Sequence, residues 1–374
     1  MSRPVYYHEG QFPPRSLDWP RLVPLIGPAN AAVARYDGTL AAIPNASLLL
    51  SPLTTQEAVL SSRIEGTQAT MGEVLEYEAR GAMKEPTSPK EADIWEILNY
   101  RKAMGAATDM LKTLPLCQRI VLRCHKILLS SVRGQGKAPG EYRKIPNWIG
   151  PRGCSMDQSR YVPIDAEKLP EAMSRWEKYI HEDVSDRLVQ LAILHAEFEA
   201  LHPFLDGNGR VGRMLIPLFM YHTKIINKPT FYISAYLERN REEYYERLLA
   251  VSRDNAWSEW CAFFLQAVRV QAEENLDKAQ AIISLYNRMK TVFAELTHSQ
   301  YAINVLDWVF RRPIFKSSDF TTSAGIGKKP TAQRILKLLK DEGILRELQP
   351  ASGRRAATLC YPELLNIAEG YDAF

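Results

Sequence analysis

The chain has 374 residues, enough for two or three domains, and an ordinary apolar share of 46%. A net charge of +4 is too small for a surface wholly coated for nucleic acid, and five scattered cysteines without a Cys-x-x-Cys exclude a disulfide frame or zinc site. The odd thiol count, the absence of an apolar leader and the lack of any apolar run near ~18 residues point to a cytoplasmic protein with no membrane segment.

Apolar periodicity predicts helices nearly throughout, so the fold class is mainly α. An alanine-rich helix over 28–40 comes first. A second runs from Thr54 to Arg63 and ends in Ser61-Ser62-Arg63-Ile64-Glu65-Gly66-Thr67. Gly66 suits a helix cap there, which leaves Glu65 unexplained. Helices follow over 90–111 and 116–129. Gly140 to Gly150, a polar loop over 151–160 and Tyr161-Val162-Pro163 read as two short strands around a turn, a β-hairpin with Trp148 on it. The helix over 185–201 places Leu188, Leu191, Leu194 and Phe198 on related faces and runs directly into His202.

The most informative stretch begins at that residue: His202-Pro203-Phe204-Leu205-Asp206-Gly207-Asn208-Gly209-Arg210-Val211-Gly212-Arg213. Gly207, Asn208 and Gly209 let the backbone approach a ligand and turn successive N–H groups toward an anion. A helix starting near Gly209 aims its free N–H groups and positive dipole end at the same place. Arg210 and Arg213, three apart, share a helix face and match phosphate oxygens in pairs. Asp206 at the mouth suits Mg²⁺, which binds through one or two carboxylates plus phosphate oxygens. His202 is the side chain whose ordinary pKa lies nearest neutrality, as a base for a hydroxyl should. A calcium loop would need glutamate at its twelfth position, and counting from Asp206 reaches Pro217. No lysine followed by Ser or Thr closes a Walker A loop.

Tyr244-Tyr245 lies on a helix over 239–251, and 257–296 is long, periodic and free of Pro and Gly. Three helices are then predicted over 299–311, 317–324 and 330–341, followed by strands over 344–348 and 356–361. From Lys328 to Arg355 there are eight Lys or Arg against three Asp or Glu, the charge pattern of a helix and wing facing phosphates. Three helices and a basic hairpin resemble a winged helix, a module that serves DNA binding and protein docking alike.

His-Pro-Phe-x-Asp-Gly-Asn-Gly-Arg-x-x-Arg matches the signature of Fic-domain enzymes at every fixed position. The resemblance covers about Glu57 to Ala267. It implies a Fic-type helical bundle with a β-hairpin flap, plus a C-terminal winged-helix domain, divided as 1–110, 111–296 and 297–374. It also implies transfer of AMP from ATP to a protein hydroxyl with release of pyrophosphate. His202 would deprotonate the hydroxyl and Asp206 would hold Mg²⁺ between the α- and β-phosphates. Gly207, Asn208 and Gly209 would cradle phosphates that Arg210 and Arg213 neutralise. Tyr244 would line the adenine and ribose pocket, with Ile149 and Gly150 of the flap at the nucleotide. Some relatives carry asparagine eight residues after that tyrosine, where this chain has Ser252. Many carry a run of prolines where this chain has Val162-Pro163-Ile164-Asp165.

Ser61 and Glu65 resemble the inhibitory motif of the same family, whose glutamate pairs with the second arginine, here Arg213, and spoils the ATP pose. The 144–163 flap would dock a target protein as an added strand. Self-modification and a homodimer also fall within the resemblance. Two further readings stand beside AMP transfer. One is a DNA-binding regulator whose Fic-like site only senses nucleotide. The other is a Fic enzyme that removes AMP or transfers another phosphate-containing group, with Glu65 orienting a water.

Overall fold

The computed structural model describes residues 3–43, 45–81, 86–130, 136–151 and 153–374. In chain order the elements begin with β1 (Val5–Tyr6), α1 (Trp19–Ala41), α2 (Ala46–Leu49), α3 (Ser51–Ile64), α4 (Met71–Ala79), α5 (Pro89–Met110) and α6 (Gln118–Leu128). Next come β2 (Tyr161–Val162), α7 (Leu169–Ile180), α8 (Arg187–Leu201), α9 (Asn208–His222), α10 (Ser234–Arg239), α11 (Arg241–Asp254) and α12 (Trp257–Thr297). The last are α13 (Ala302–Arg311), β3 (Ile314–Lys316), α14 (Ser317–Ser323), α15 (Lys329–Asp341), β4 (Arg346–Gln349), β5 (Thr358–Cys360) and α16 (Pro362–Glu369). Among the described residues no helix is long and apolar enough to cross a membrane.

The chain forms two compact units. One comprises Met1–Gly38, Leu60–Thr67 and Leu98–Glu273, and the other Thr39–Val59, Gln68–Ile97 and Glu274–Phe374. These units interleave along the chain, unlike consecutive stretches at 1–110, 111–296 and 297–374. Each unit gathers helices by the apolar faces they can bury, and chain order does not constrain that choice.

The first unit is built around α8, whose sequence is apolar on all sides and therefore calls for burial on all sides. α7, α9 and α11 pack against it. From Leu188 to Leu201 every residue of α8 is buried except Glu199. Asp186 caps its start, accepting a bond from the Val189 N–H at 2.9 Å. Its buried polar members are satisfied: Gln190 donates to the Tyr179 carbonyl at 2.6 Å. Glu197 accepts the Tyr7 hydroxyl at 2.6 Å and meets His8 Nε2 at 2.9 Å. His8 in turn reaches Ser252 Oγ through Nδ1 at 2.7 Å.

That network anchors the N-terminal strand and changes the expected flap. The hairpin predicted over 144–163 is reduced to one antiparallel bridge, Ile149 with Tyr161. Tyr161–Val162 pairs instead with Val5–Tyr6, in parallel. Pro146 and Pro151 carry no N–H and cannot extend the first ladder, so pairing stops after a single bridge.

In the second unit, α15 turns Ala332, Ile335, Leu336 and Leu339 inward, a helical spacing that buries one face. The sheet order is β3-β5-β4, with both pairings antiparallel. Trp308 closes edge-on to Phe315 and Phe320, at 4.7 and 5.3 Å between centroids. β1 and β3 have no counterpart among the predicted strands, and α2, α4, α7, α10 and α16 none among the predicted helices.

Glu197→Ala should strand Tyr7 and His8 inside the first unit, at a cost of about 1–3 kcal/mol for each unsatisfied partner. A denaturant midpoint equal to that of the wild type would contradict this account of the anchor.

Candidate active site

α8 stops at His202 because the backbone there turns left-handed, with φ +46°. α9 starts after Gly207, at φ +81°, a conformation that favours glycine. The loop between is held from several sides. Asn208 closes it, accepting the Phe204 N–H at 2.8 Å and donating to the Phe204 carbonyl at 2.8 Å. Arg143 donates from Nε to the His202 carbonyl at 3.0 Å and from Nη2 to the Leu201 and Ile164 carbonyls. Its backbone N–H donates to the Pro203 carbonyl at 2.9 Å. Asn147 adds a bond to the Phe204 carbonyl at 3.0 Å.

His125 stacks on Phe204 at 3.7 Å and links two backbones. The Gly140 N–H donates to its Nδ1 at 2.9 Å, so the ring proton sits on Nε2 and donates to the Asp206 carbonyl at 3.0 Å. Burial lowers the His125 pKa to about 4, which keeps this tautomer neutral. A catalytic loop needs such rigid support.

Beside the loop, Arg213 is fully buried and aimed by the stretch that sequence singled out. Its Nε donates to Ser61 Oγ at 2.9 Å and its Nη2 to the Ser61 carbonyl at 2.8 Å. Nη2 also meets Glu65 Oε1 at 2.7 Å. Burial alone would raise the Glu65 pKa, but the charge and hydrogen bond of Arg213 override it, and the net shift is downward. The same contact, against burial, holds Arg213 protonated. Gly209 makes the pair feasible by close approach: a Cβ there would lie 2.2 Å from Glu65 Oε1 and 2.9 Å from Arg213 Nη1. Glu65 thus rests on the glycine turn that the sequence assigns to an anion.

Arg210 lies 3.3 Å from Asp206 Oδ1, and the Asp206 side chain is half-exposed. Among the described residues no group of three His, Cys, Asp or Glu could hold a metal. A lone carboxylate fits Mg²⁺ that arrives with a polyphosphate and suits a self-sufficient protein cage poorly. Burial lowers the His202 pKa to about 4, while Glu65 and the Glu199 carbonyl oppose the fall. The ring is therefore neutral at physiological pH. Its Nδ1 is buried away from solvent, so Nε2 is the ring nitrogen left to meet a bound molecule.

These groups open on a pocket of about 480 Å³, within the range of nucleotide-sized sites. Glu65, His202, Gly209 and Arg213 line one part, and Ile149, Gly150 and Tyr161 another. Tyr244, Tyr245, Leu248 and Leu249 of α11 supply apolar wall. Tyr244 is fixed from behind. The Gly212 carbonyl can only accept, so neutral His195 donates to it from Nδ1 at 3.2 Å and accepts the Tyr244 hydroxyl at Nε2, 2.8 Å away. Asp206, Gly207, Asn208, Arg210 and Ser61 lie outside the lining, and the Asn208 side chain is spent on loop closure. Glu199, Arg143, His125 and Leu248 had no place in the sequence reading. Leu248 could have been found by its helical spacing from Tyr244, whereas nothing local marks Arg143 or His125.

A buried helix ending on a histidine, a glycine turn and a basic helix start meet at this site, and comparison with known proteins gives the chain a family. The Fic/DOC N-terminal model matches residues 23–109 and the Fic/DOC model residues 115–220, together just over half the chain. The protein belongs to the Fic/DOC family. Over 68 residues it is 37% identical to a probable protein adenylyltransferase of Aquifex aeolicus, covering 18% of this chain and 19% of that one. Over 125 residues it is 27% identical to the protein adenylyltransferase Fic of Drosophila grimshawi, covering 32% and 24%. These matches span about a fifth to a quarter of the curated relatives. The fold resembles the crystal structure of a Fic family protein from Desulfovibrio desulfuricans G20, with TM-score 0.59 at 19% identity, over 93% of this chain and 98% of that one.

The Glu65–Arg213 contact can be tested without any activity. Gly209→Ala should force the carboxylate off and cost about 1.5–3 kcal/mol, the range of a hydrogen bond to a charged group. In a Glu65→Ala background the same change should cost much less. Equal costs in both backgrounds would show that Gly209 does not accommodate Glu65.

Proposed function

We propose that this protein is an autoinhibited protein adenylyltransferase. It moves AMP from ATP to a Ser, Thr or Tyr hydroxyl of a target protein or of itself. The observation that carries the reading is the convergence of His202, Gly209 and Arg213 on one pocket with Glu65 lodged among them.

Neutral His202 takes the hydroxyl proton at Nε2 as the hydroxyl oxygen attacks the α-phosphorus in line. The bond from that phosphorus to the oxygen bridging the β-phosphate breaks, and pyrophosphate leaves with the electron pair. Arg210 and Arg213 offset the phosphate charge, and the glycine turn lets the backbone approach it. Asp206 would hold Mg²⁺, which when bound adds positive charge at the phosphates. Positioning and electrostatics then supply most of the acceleration.

Glu65 occupies the anion turn and engages the guanidinium that the terminal phosphate needs. A charge-assisted bond of about 1.5–3 kcal/mol biases ATP toward an unproductive pose by about one to two powers of ten. Resting activity is therefore weak and reversible in its control. The flap exposes Ile145, Trp148 and Ile149, an apolar edge suited to a strand of the target. A homodimer and a cytoplasmic site of action belong to this reading through the family.

Contact with DNA through residues 297–374 is a second reading. Helix, strand, two helices and two strands, from α13 to β5, follow the order of a winged helix. The outer face of α15 exposes Lys329, Gln333 and Lys337, with Lys328 before it and Arg354 and Arg355 in the turn after β4. Two other cations are engaged within the unit, Arg334 on the Thr297 carbonyl and Lys340 on Glu347. Duplex binding that weakens steeply with salt and falls in Lys329→Ala/Lys337→Ala would support it; binding unaffected by salt or by these changes would end it.

Incubation with α-labelled ATP, Mg²⁺ and a cell extract tests the main reading. Label on protein should rise about tenfold or more in Glu65→Gly. It should fall by about 10²–10⁴-fold in His202→Ala, with ATP binding retained. In Glu65→Gly the rate should stay level well below pH 6.5, the midpoint of an ordinary histidine, and drop only near the His202 value of about 4. No transfer by Glu65→Gly despite bound ATP would move the assignment to AMP removal, another donor or nucleotide sensing.

A further inference from the structure

Glu199 stands one turn before His202, lines the pocket beside Ala196 and Ala200, and is the one residue of α8 from Leu188 to Leu201 that is not fully buried. Its Oε1 is buried and makes no hydrogen bond among the described residues. Room for it is made by Gly212, where a Cβ would lie 2.2 Å from that oxygen. The charged and titratable groups facing it are Arg213 of α9, Glu65 after α3 and Tyr244 of α11, with His195 and His202 on its own helix. None hydrogen-bonds its Oε1: Arg213 is bonded to Ser61 and Glu65, and Tyr244 to His195.

An unsatisfied buried polar group costs about 1–3 kcal/mol, and a carboxylate beside a phosphate site adds repulsion. Both costs disappear if the carboxyl is protonated and a ligand completes its bonding. A protonated carboxyl donates one hydrogen bond, whereas a carboxylate only accepts.

We propose that Glu199 serves as a neutral carboxylic acid that donates a hydrogen bond to a phosphate oxygen of the nucleotide beside Arg213. The proposal rests on the reading of the pocket as a nucleotide site. Burial and, after it, the Glu65 charge raise the Glu199 pKa against the pull of Arg213, to about 8, so the acid form prevails at neutral pH. As pH climbs through that value the donor is lost and a negative charge appears at the phosphates. Nucleotide affinity then declines on the alkaline side. The residue binds and orients the nucleotide and takes no proton from the hydroxyl, a task left to His202.

The test is calorimetric titration of ATP, ADP and adenosine into the wild-type chain, Glu199→Gln and Glu199→Ala, from pH 6.5 to 9. Glutamine keeps a donor and stays neutral, so Glu199→Gln should bind ATP within about threefold of the wild type at pH 7 and lose the alkaline decline. Glu199→Ala should bind ATP and ADP about tenfold more weakly, as expected for one lost hydrogen bond, with adenosine unchanged. Equal weakening for adenosine would overturn the phosphate contact. Identical pH profiles for wild type and Glu199→Gln would overturn the neutral-acid role even if Glu199→Ala failed to fold. A wild-type chain that binds ATP as tightly as both variants would sink this inference alone. One that binds no ATP would remove the nucleotide reading and the inference together.

Discussion

The pocket converges on a carboxylate held against a guanidinium over a glycine. Glu65, Arg213 and Gly209 are mutually dependent: the carboxylate reaches its place because Gly209 has no side chain, and Arg213 is aimed there by Ser61. A buried arginine without a partner would be costly, so some anion must meet it. In the structure the chain supplies that anion itself. Under the proposed reading a phosphate takes over the role, and the balance between the two anions sets activity. The energies involved are a few kcal/mol, which is the scale at which binding of a partner or a second chain can tip an equilibrium.

Rigidity around this point is unusually well provided for. In the loop from His202 to Asp206, the carbonyls of His202, Pro203, Phe204 and Asp206 are occupied by Arg143, Asn147, Asn208 and His125. Two histidines, His125 and His195, are kept neutral by burial and act as fixed-tautomer braces. His202 shares the depressed pKa, but its environment opens on the pocket, where under the proposed reading it serves as a base instead of a brace. Burial thus sorts three chemically identical side chains into two kinds of work.

The N-terminal strand adds a support far from the loop in sequence. Tyr7 and His8 meet Glu197 on the central helix, and His8 reaches Ser252 on α11. Ser252 lies 3.4 Å from the hydroxyl of Tyr161, which lines the pocket. The position where some relatives carry asparagine is therefore linked here to the N-terminal segment, and the pocket wall inherits its order.

Sequence alone determined which residue types gather around His202, because they lie in short runs. The stretch from His202 to Arg213 places an imidazole, a glycine turn and two arginines within one loop and one helix start, where local geometry is nearly forced by φ preferences and helix dipoles. The helices were legible because apolar spacing repeats over several turns, and α8 could be read as running straight into His202. Ser61, Glu65 and their pairing with Arg213 were visible only through a family resemblance, because the 2.7 Å contact spans 148 residues and is set by packing. The flap's single bridge and its parallel partner at Val5–Tyr6 were not legible, because so little pairing leaves no alternating pattern to find. The protonation of Glu199 and of the three histidines was beyond reach for a related reason. A pKa depends on the dielectric and charges that the fold gathers around a group, and no run of neighbouring residues specifies those.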